Sequence, residues 1–574
     1  MTRWAKLGSV ALVLCLLAGA CGGDDDGGDA AGEEGSEETE EPQSGGELVI
    51  GAEQFPKCIN PFTQCANSSW MHWATVQYAL PKLMELNAEG NYVPSPLLDG
   101  EPVLSGAGTG NGDGPFTVTY TLRDEAVWDD ETPITCADLE FSRQAVLETT
   151  GTLTTVNVED VQSITPVDGD DKVCAMEFKR PLAAWTEVLG SATQYVLKAD
   201  AFDSPDVADA LATELPFSGG PFILESFDPN NEAVLVRNDN YWDPDRMPLL
   251  DQVTVIALAD QETEFNALLA GEVAAIYPQP APGVTQQLDD ENVEFEFGAG
   301  TTWEALFFTI GSLLDPETPL ADKAVREALL YAVDRDAILK EIITPDFPET
   351  VLLNCLGWVP TVGDWCDQTD FADVKFDPAK VASVLEAAGW AKGGDGIYAK
   401  GGKNLELTWQ TVAGNNRRES IQDLVIPQLA ELGIAARASN VDADTLFQQL
   451  VPQLQTEIAL YAQVLSPDPS VTPIFGCANI PTEENNFSGQ NNTAWCNQRA
   501  NELMLKADET PDETARLDLT RQIGDIARAE AVGLPFYQLP LITAWRTDMV
   551  EGPGAFTSSP LSGFWDLYDW SVPT

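Results

Sequence analysis

The chain has 574 residues, and its 92 acidic against 30 basic side chains leave a net charge of −62. That balance excludes nucleic acid as a partner, and diffuse acidity of this kind reads as a solubility device that also steers cations inward. The length exceeds what one ordinary core serves, so several lobes are expected.

Arg3 and Lys6 precede an apolar run over residues 7–17 that ends Leu17-Ala18-Gly19-Ala20-Cys21. The run is too short to cross a bilayer core of roughly 30 Å, so residues 1–20 read as a secretory signal. Small residues before a cysteine resemble a bacterial lipobox, which implies cleavage before Cys21 and lipid on its sulfur. Residues 22–46 are Gly, Asp, Glu, Ser and Ala almost throughout. They bury too little to offset their ordering entropy and read as an acidic tether. The folded body is expected from residue 47, soluble apart from its anchor.

Residues 47–51 read as a strand. Residues 116–122 alternate, placing Phe116, Val118, Tyr120 and Leu122 on one face of another. Helical spacing runs over 136–147, with Asp138 near its start. A turn at 168–171 leads into a strand at 173–178, and 233–237 and 253–257 read likewise. Helices follow at 323–332, 378–388, 420–432, 497–507 and 515–529, with Gly389 and Gly433 as stops. The mixture indicates an α/β (α+β) protein of several lobes. The glycine-rich stretch 106–114 precedes a strand, fits no G-x-G-x-x-G register and has no phosphate-loop lysine.

Of the 10 cysteines, eight lie in the body: Cys58, Cys65, Cys136, Cys174, Cys355, Cys366, Cys477 and Cys496. An even number in an exported chain points to disulfides, with about 105 possible pairings. Pairing in sequence order is expected, because each neighbouring pair closes a short loop. Zinc is disfavoured, there being no C-x-x-C and a single histidine, His72.

Several segments, in order, resemble the bacterial extracellular solute-binding proteins of family 5, which bind oligopeptides, dipeptides and nickel. The densest runs from Tyr120-Thr-Leu-Arg through Val127-Trp-Asp-Asp-Glu-Thr-Pro133 to Ala137-Asp-Leu139, with Asp130 where the family often has glycine. Gly219-Gly-Pro-Phe222, Val236-Arg-Asn-Asp-Asn-Tyr-Trp242, Ala270-Gly-Glu-Val273, Val325-Arg-Glu-Ala328 with Asp334-Arg335, Phe376-Asp-Pro378 and Leu429-Ala-Glu-Leu-Gly-Ile434 continue it. The resemblance implies a two-lobe, hinged type II periplasmic-binding-protein-like fold with an extra subdomain and ligand between the lobes. Lobe 1 maps to 47–80, 217–300 and 534–574, the subdomain to 81–216 and lobe 2 to 301–533. Crossings are expected near 303–309 and 533–537. Most of these signatures, Asp334-Arg335, Trp128 and Trp242 among them, read as architecture.

In peptide-binding relatives an aspartate four residues before the proline of an Asp-x-x-acid-Pro loop pairs with the ligand amine. Here the loop is Leu465-Ser-Pro-Asp468-Pro469, so Leu465 stands at the amine position and Asp468 at the second acid. Arg417 and Arg418 lie where dipeptide-binding relatives place a carboxylate-binding arginine. Trp409, Trp303, Trp70, Tyr461 and Trp365 are candidate cleft walls.

The resemblance implies a receptor for a small solute, delivering it to an ABC permease and ATPase, monomeric, without cofactor or catalytic residue, and lipid-anchored outside the cell membrane. Peptide is the leading ligand, with a carbohydrate, opine or other organic solute as the alternative that Leu465 keeps open. Nickel lacks a ligand cluster. A secreted hydrolase is the rival class, but G-x-S-x-G and H-E-x-x-H are absent. An adhesion or signalling lipoprotein is the third.

Overall fold

Two long strands, Val293–Phe308 and Gly533–Arg546, run antiparallel through the centre of a ten-stranded sheet. The protein is seen in a computed structural model that describes residues 44–87, 91–107, 114–191, 193–315, 317–361, 364–464, 468, 470–510, 512–553, 564 and 566–573. The signal, Cys21 and most of the tether, much of the glycine-rich stretch and Leu465 lie outside the described residues.

On one side of the central pair the sheet continues through Ala275–Ile276, Glu47–Ala52, Gln252–Ala257, Glu232–Arg237 and Phe222–Asp228. On the other side stand Ile458–Val464, Glu406–Gln410 and Ala435–Ala438. The pairing within the central strands is irregular at two places, between Ala299 and Trp303 and between Glu304 and Ala305. Ala299 faces Pro540 and Trp303 faces Gln538, so residues 300–302 oppose Leu539 alone. A bulge of this kind bends a sheet. It falls just outside the crossings expected at 303–309 and 533–537, whereas the second irregularity, where Glu304 faces Tyr537 and Ala305 faces Pro535, falls inside both. Residues 302–308 pair with Ile458–Val464, and 303–307 pair with 533–538 with Phe536 left out of the register.

Among the described residues, buried side chains form two clusters. One gathers Ile50, Tyr78, Trp128, Leu139 and Val253, and the other Trp303, Leu329, Trp409, Val425 and Phe536. Among the described residues no helix is long and apolar enough to cross a membrane.

A four-stranded sheet of Val103–Ser105, Thr117–Thr121, Asp170–Phe178 and Val161–Val167 carries the inserted segment. Its helix, Cys136–Glu148, begins as expected: Asp138 Oδ2 accepts from Thr135 N at 2.8 Å, meeting an unsatisfied first-turn donor region. In the preceding turn the left-handed residue is Glu131, at φ 67°, so the family glycine's place belongs to Glu131 and not to Asp130. Asp130 instead receives Lys198 and Thr132. Gly220 has a packing reason: a Cβ there would meet Tyr78 O at 2.2 Å. Arg335 is structural as well, donating to the carbonyls of Leu353, Pro535 and Phe371 at 2.9 Å.

The eight cysteines pair in sequence order: Cys58 with Cys65, Cys136 with Cys174, Cys355 with Cys366, and Cys477 with Cys496. The second of these ties the start of the 136–148 helix to the strand behind it.

Candidate functional site

A cavity of about 290 Å³ opens where the two sheet halves meet the inserted segment. The short helix Ser69–Ala74 presents Trp70, His72 and Trp73 to it, and Tyr277 follows the strand Ala275–Ile276. The Trp73 and Tyr277 rings lie 4.7 Å apart, and Trp70 meets Trp73 edge-on at 5.6 Å. From the opposite half, Tyr461 stacks on Phe307 at 4.4 Å and packs edge-on against Phe447. Leu539 and Leu541 reach the wall from the central strand, beside the bulge.

Charge enters from three directions. Lys82 and Glu85 lie at the start of the inserted segment, Glu187 further along it, and Arg418 at the start of the helix Asn416–Leu432. Asn157 Nδ2 donates to Glu187 Oε2 at 2.8 Å, holding that carboxylate in the wall. Glu85 accepts both Arg246 amino groups, at 3.0 and 2.5 Å. His72 is buried with Nδ1 3.0 Å from Tyr195 Oη. Burial, and then the nearby Lys82, push its pKa down to about 3, so it is neutral.

Behind the wall lies a network that composition did not reveal. Glu304, 0 % exposed, sits in the central strand between two guanidiniums. Arg418 Nε donates to its Oε1 at 2.7 Å, and Arg417 Nη1 lies 2.9 Å from Oε2. Arg417 also donates to Pro280 O at 2.8 Å and Tyr537 Oη at 2.9 Å. Burial alone would raise the Glu304 carboxyl, but the two arginines together hold it below its ordinary value. Glu53, half-buried beside Arg418, has its pKa raised to about 7 by burial, partly opposed by Gln54 and Arg418. Glu264 is pushed higher by burial and by Glu53.

Of the expected site residues, the cavity wall gathers Trp70, Tyr461 and Arg418. The other five, Arg417, Trp303, Trp409, Asp468 and Trp365, do not line it. Arg417 is wholly buried in the Glu304 network. Trp303 and Trp409 are 0 % exposed, because strands on both sides cover the segments that carry them. Asp468 is held by Arg516, whose Nη1 donates to Oδ2 at 2.8 Å, and that guanidinium also covers the Trp365 ring. Sequence reading missed Lys82, Glu187, Tyr277 and Glu304. Two of these left a signal: Glu304 interrupts the run Trp303-Glu-Ala-Leu-Phe-Phe308, and Lys57 and Lys82 are the only lysines or arginines between residues 47 and 122.

The bacterial extracellular solute-binding protein family 5 middle profile matches residues 110–482, more than half of the chain. The oligopeptide-binding protein OppA of Mycobacterium tuberculosis is 24% identical over 515 residues, covering 89% of this chain and 82% of that one. The glutathione-binding protein GsiB of Escherichia coli is 22% identical, covering 81% of this chain and 84% of its own. Among solved structures, the oligopeptide-binding protein AppA of Bacillus subtilis, in complex with a nonapeptide, superposes with a TM-score of 0.79 at 20% identity, covering 93% of this chain and 100% of that one. The fold is thus the two-lobe type II architecture, and the chain belongs to the bacterial extracellular solute-binding proteins, family 5.

Proposed function

We propose that this protein is the extracytoplasmic substrate-binding receptor of an ABC importer and that its ligands are peptides. The observation that carries the reading is the aromatic-walled cavity at the junction of the two halves, edged by charges of both signs. Its size lies at the low end of small-ligand sites, roughly 300–1,000 Å³, which suits a short peptide. The oligopeptide-binding relatives support the same class. Trp70 and Tyr461 take the apolar parts of the ligand, and Arg418 its polar edge. Glu187 is the acid suited to a ligand ammonium, replacing the carboxylate that Leu465 lacks. A buried ammonium without such a partner is costly. Leu465 also favours a second reading, an uncharged carbohydrate or an opine in the same cavity.

The lobes are assigned as 47–80, 217–300 and 534–574 for the first, 81–216 for the subdomain and 301–533 for the second, with crossings near 303–309 and 533–537. Closure on ligand is a hinge motion about the bulge at 300–302. The receptor is a monomer held to the outer face of the cell membrane through lipid on Cys21, and it hands solute to a permease without chemistry of its own. Native mass spectrometry of residues 44–574 mixed with pooled di- to pentapeptides tests the ligand class. Retained peptide masses support it, and retention of sugars with no peptide refutes it.

A further inference from the structure

Among the described residues the cavity has two cations in its wall, and they are not equivalent. Arg418 is committed to Glu304, donating at 2.7 and 3.4 Å. Lys82 has no such claim on it. No hydrogen bond or ion pair engages its Nζ among the described residues, and its ammonium rests 4.4 Å from the centre of the Tyr195 ring. The nearest acid in sequence, Glu85, is occupied by both amino groups of Arg246. His72, on the same wall, is neutral and hydrogen-bonded to Tyr195. Lys82 and Glu85 also line a second pocket of about 110 Å³.

A half-buried ammonium with free donors, in a chain of net charge −62, needs an explanation. Desolvating a cation without a partner destabilises the empty protein. Such a loss is offset when an anion arrives from solution. We infer that Lys82 is the anchor for a carboxylate of the ligand, a role that the arginine pair cannot fill while Glu304 holds it. The inference rests on the reading of the cavity as the solute site and adds the required chemistry: a ligand with at least one free carboxylate. Burial pushes the Lys82 ammonium down to about 7, against the opposing effect of Glu85, so a bound carboxylate would restore its proton. Tyr195, His72 and Arg246 are the other titratable groups about it.

The experiment compares residues 44–574 with the Lys82→Met variant, disulfides intact, in three arms. The first uses peptides with a free C-terminus, the second the same peptides amidated, and the third simple carboxylic acids and their amides. In the unaltered protein the free-acid forms should bind about tenfold to a hundredfold more tightly, the range for one hydrogen-bonded charge. In Lys82→Met the acid forms should fall to the affinity of the amides, and the empty variant should unfold at the same or higher denaturant. Peptides whose amidated forms bind equally but whose side-chain acids are needed would place that side-chain carboxylate on Lys82. Acid preference retained in Lys82→Met overturns the inference and leaves the peptide reading intact. So does equal loss for acids and amides with a weakened empty protein. Preference for simple acids, abolished by Lys82→Met, with no peptide bound would sink the peptide reading and keep Lys82. Binding of neither class of acid by the unaltered protein sinks both.

Discussion

Replacing Glu304 with glutamine removes one negative charge from between two buried positive ones and changes almost no volume. Two short contacts lose their charge, the 2.7 Å bond from Arg418 Nε and the 2.9 Å approach of Arg417 Nη1. A hydrogen bond to a charged group contributes roughly 1.5–3 kcal/mol, and breaking a buried ion pair costs roughly 3–5 kcal/mol. The expected loss is therefore about 4 kcal/mol, near three orders of magnitude in the folding equilibrium. Urea unfolding of residues 44–574, followed by tryptophan fluorescence at pH 7, measures it. A double-mutant cycle with Arg417→Met should show a coupling of about 2 kcal/mol, because the two side chains share the contact. The pH dependence has a definite sign. The Glu304 pKa is depressed in the fold, so its stabilisation is fully present above its ordinary value of 4.5 and is lost as the pH falls through the lower folded value. The difference between parent and Glu304→Gln should shrink accordingly in acid. A loss below about 1 kcal/mol at pH 7, with no coupling, would refute the view that this triad is a desolvated unit.

Three further outcomes follow from the same structure. Removing the Cys136 to Cys174 bridge with paired serines should destabilise by about 4 kcal/mol, since it closes a loop of sequence separation 38, against about 2 kcal/mol for the Cys58 to Cys65 bridge of separation 7; denaturant midpoints compare them. Glu53 is raised from 4.5 to about 7, so its protonated form stabilises the fold at low pH and that contribution is lost as pH rises through about 7. Glu53→Gln should accordingly flatten the decline of stability between pH 4.5 and about 7, the window between the two pKa values, read from midpoints on a pH series. Cys21→Ser should move the full-length protein from the membrane to the soluble fraction, and continued membrane association would end the lipid-anchor proposal.

Much of the scaffold was legible because local physics and tertiary packing agree there. The helix Lys323–Ala332 matches its predicted bounds, and the strand Thr117–Thr121 buries the face its alternation marked. The helix Asn416–Leu432 begins four residues earlier than expected because Asn415 caps it, its side chain accepting from Arg418 N at 3.1 Å. The central strand Gly533–Arg546 carried no alternation to read. Gly533–Arg546 is buried on both faces along nearly its whole length, so its run of apolar residues has no period of two. The same cause misplaced Trp303 and Trp409: large rings suggested cleft walls, but neighbouring strands enclose both. The cavity joins Trp70, Lys82, Glu187, Tyr277, Arg418 and Tyr461, which are remote in the chain and meet only through the order of strands in the sheet. No local signal encodes that meeting. What the sequence did carry was the anomaly of single charges in apolar or cation-poor surroundings, at Glu304 and Lys82.

The claim that this is a peptide receptor is tested most directly by the thermal unfolding of oxidised residues 44–574 titrated with a short-peptide pool and, separately, a sugar pool. A ligand that binds only the native state raises its stability in a saturable way, by about 2.7 kcal/mol at a hundredfold excess over Kd. The account predicts such a rise with peptides and none with sugars, and a rise with sugars alone would contradict it.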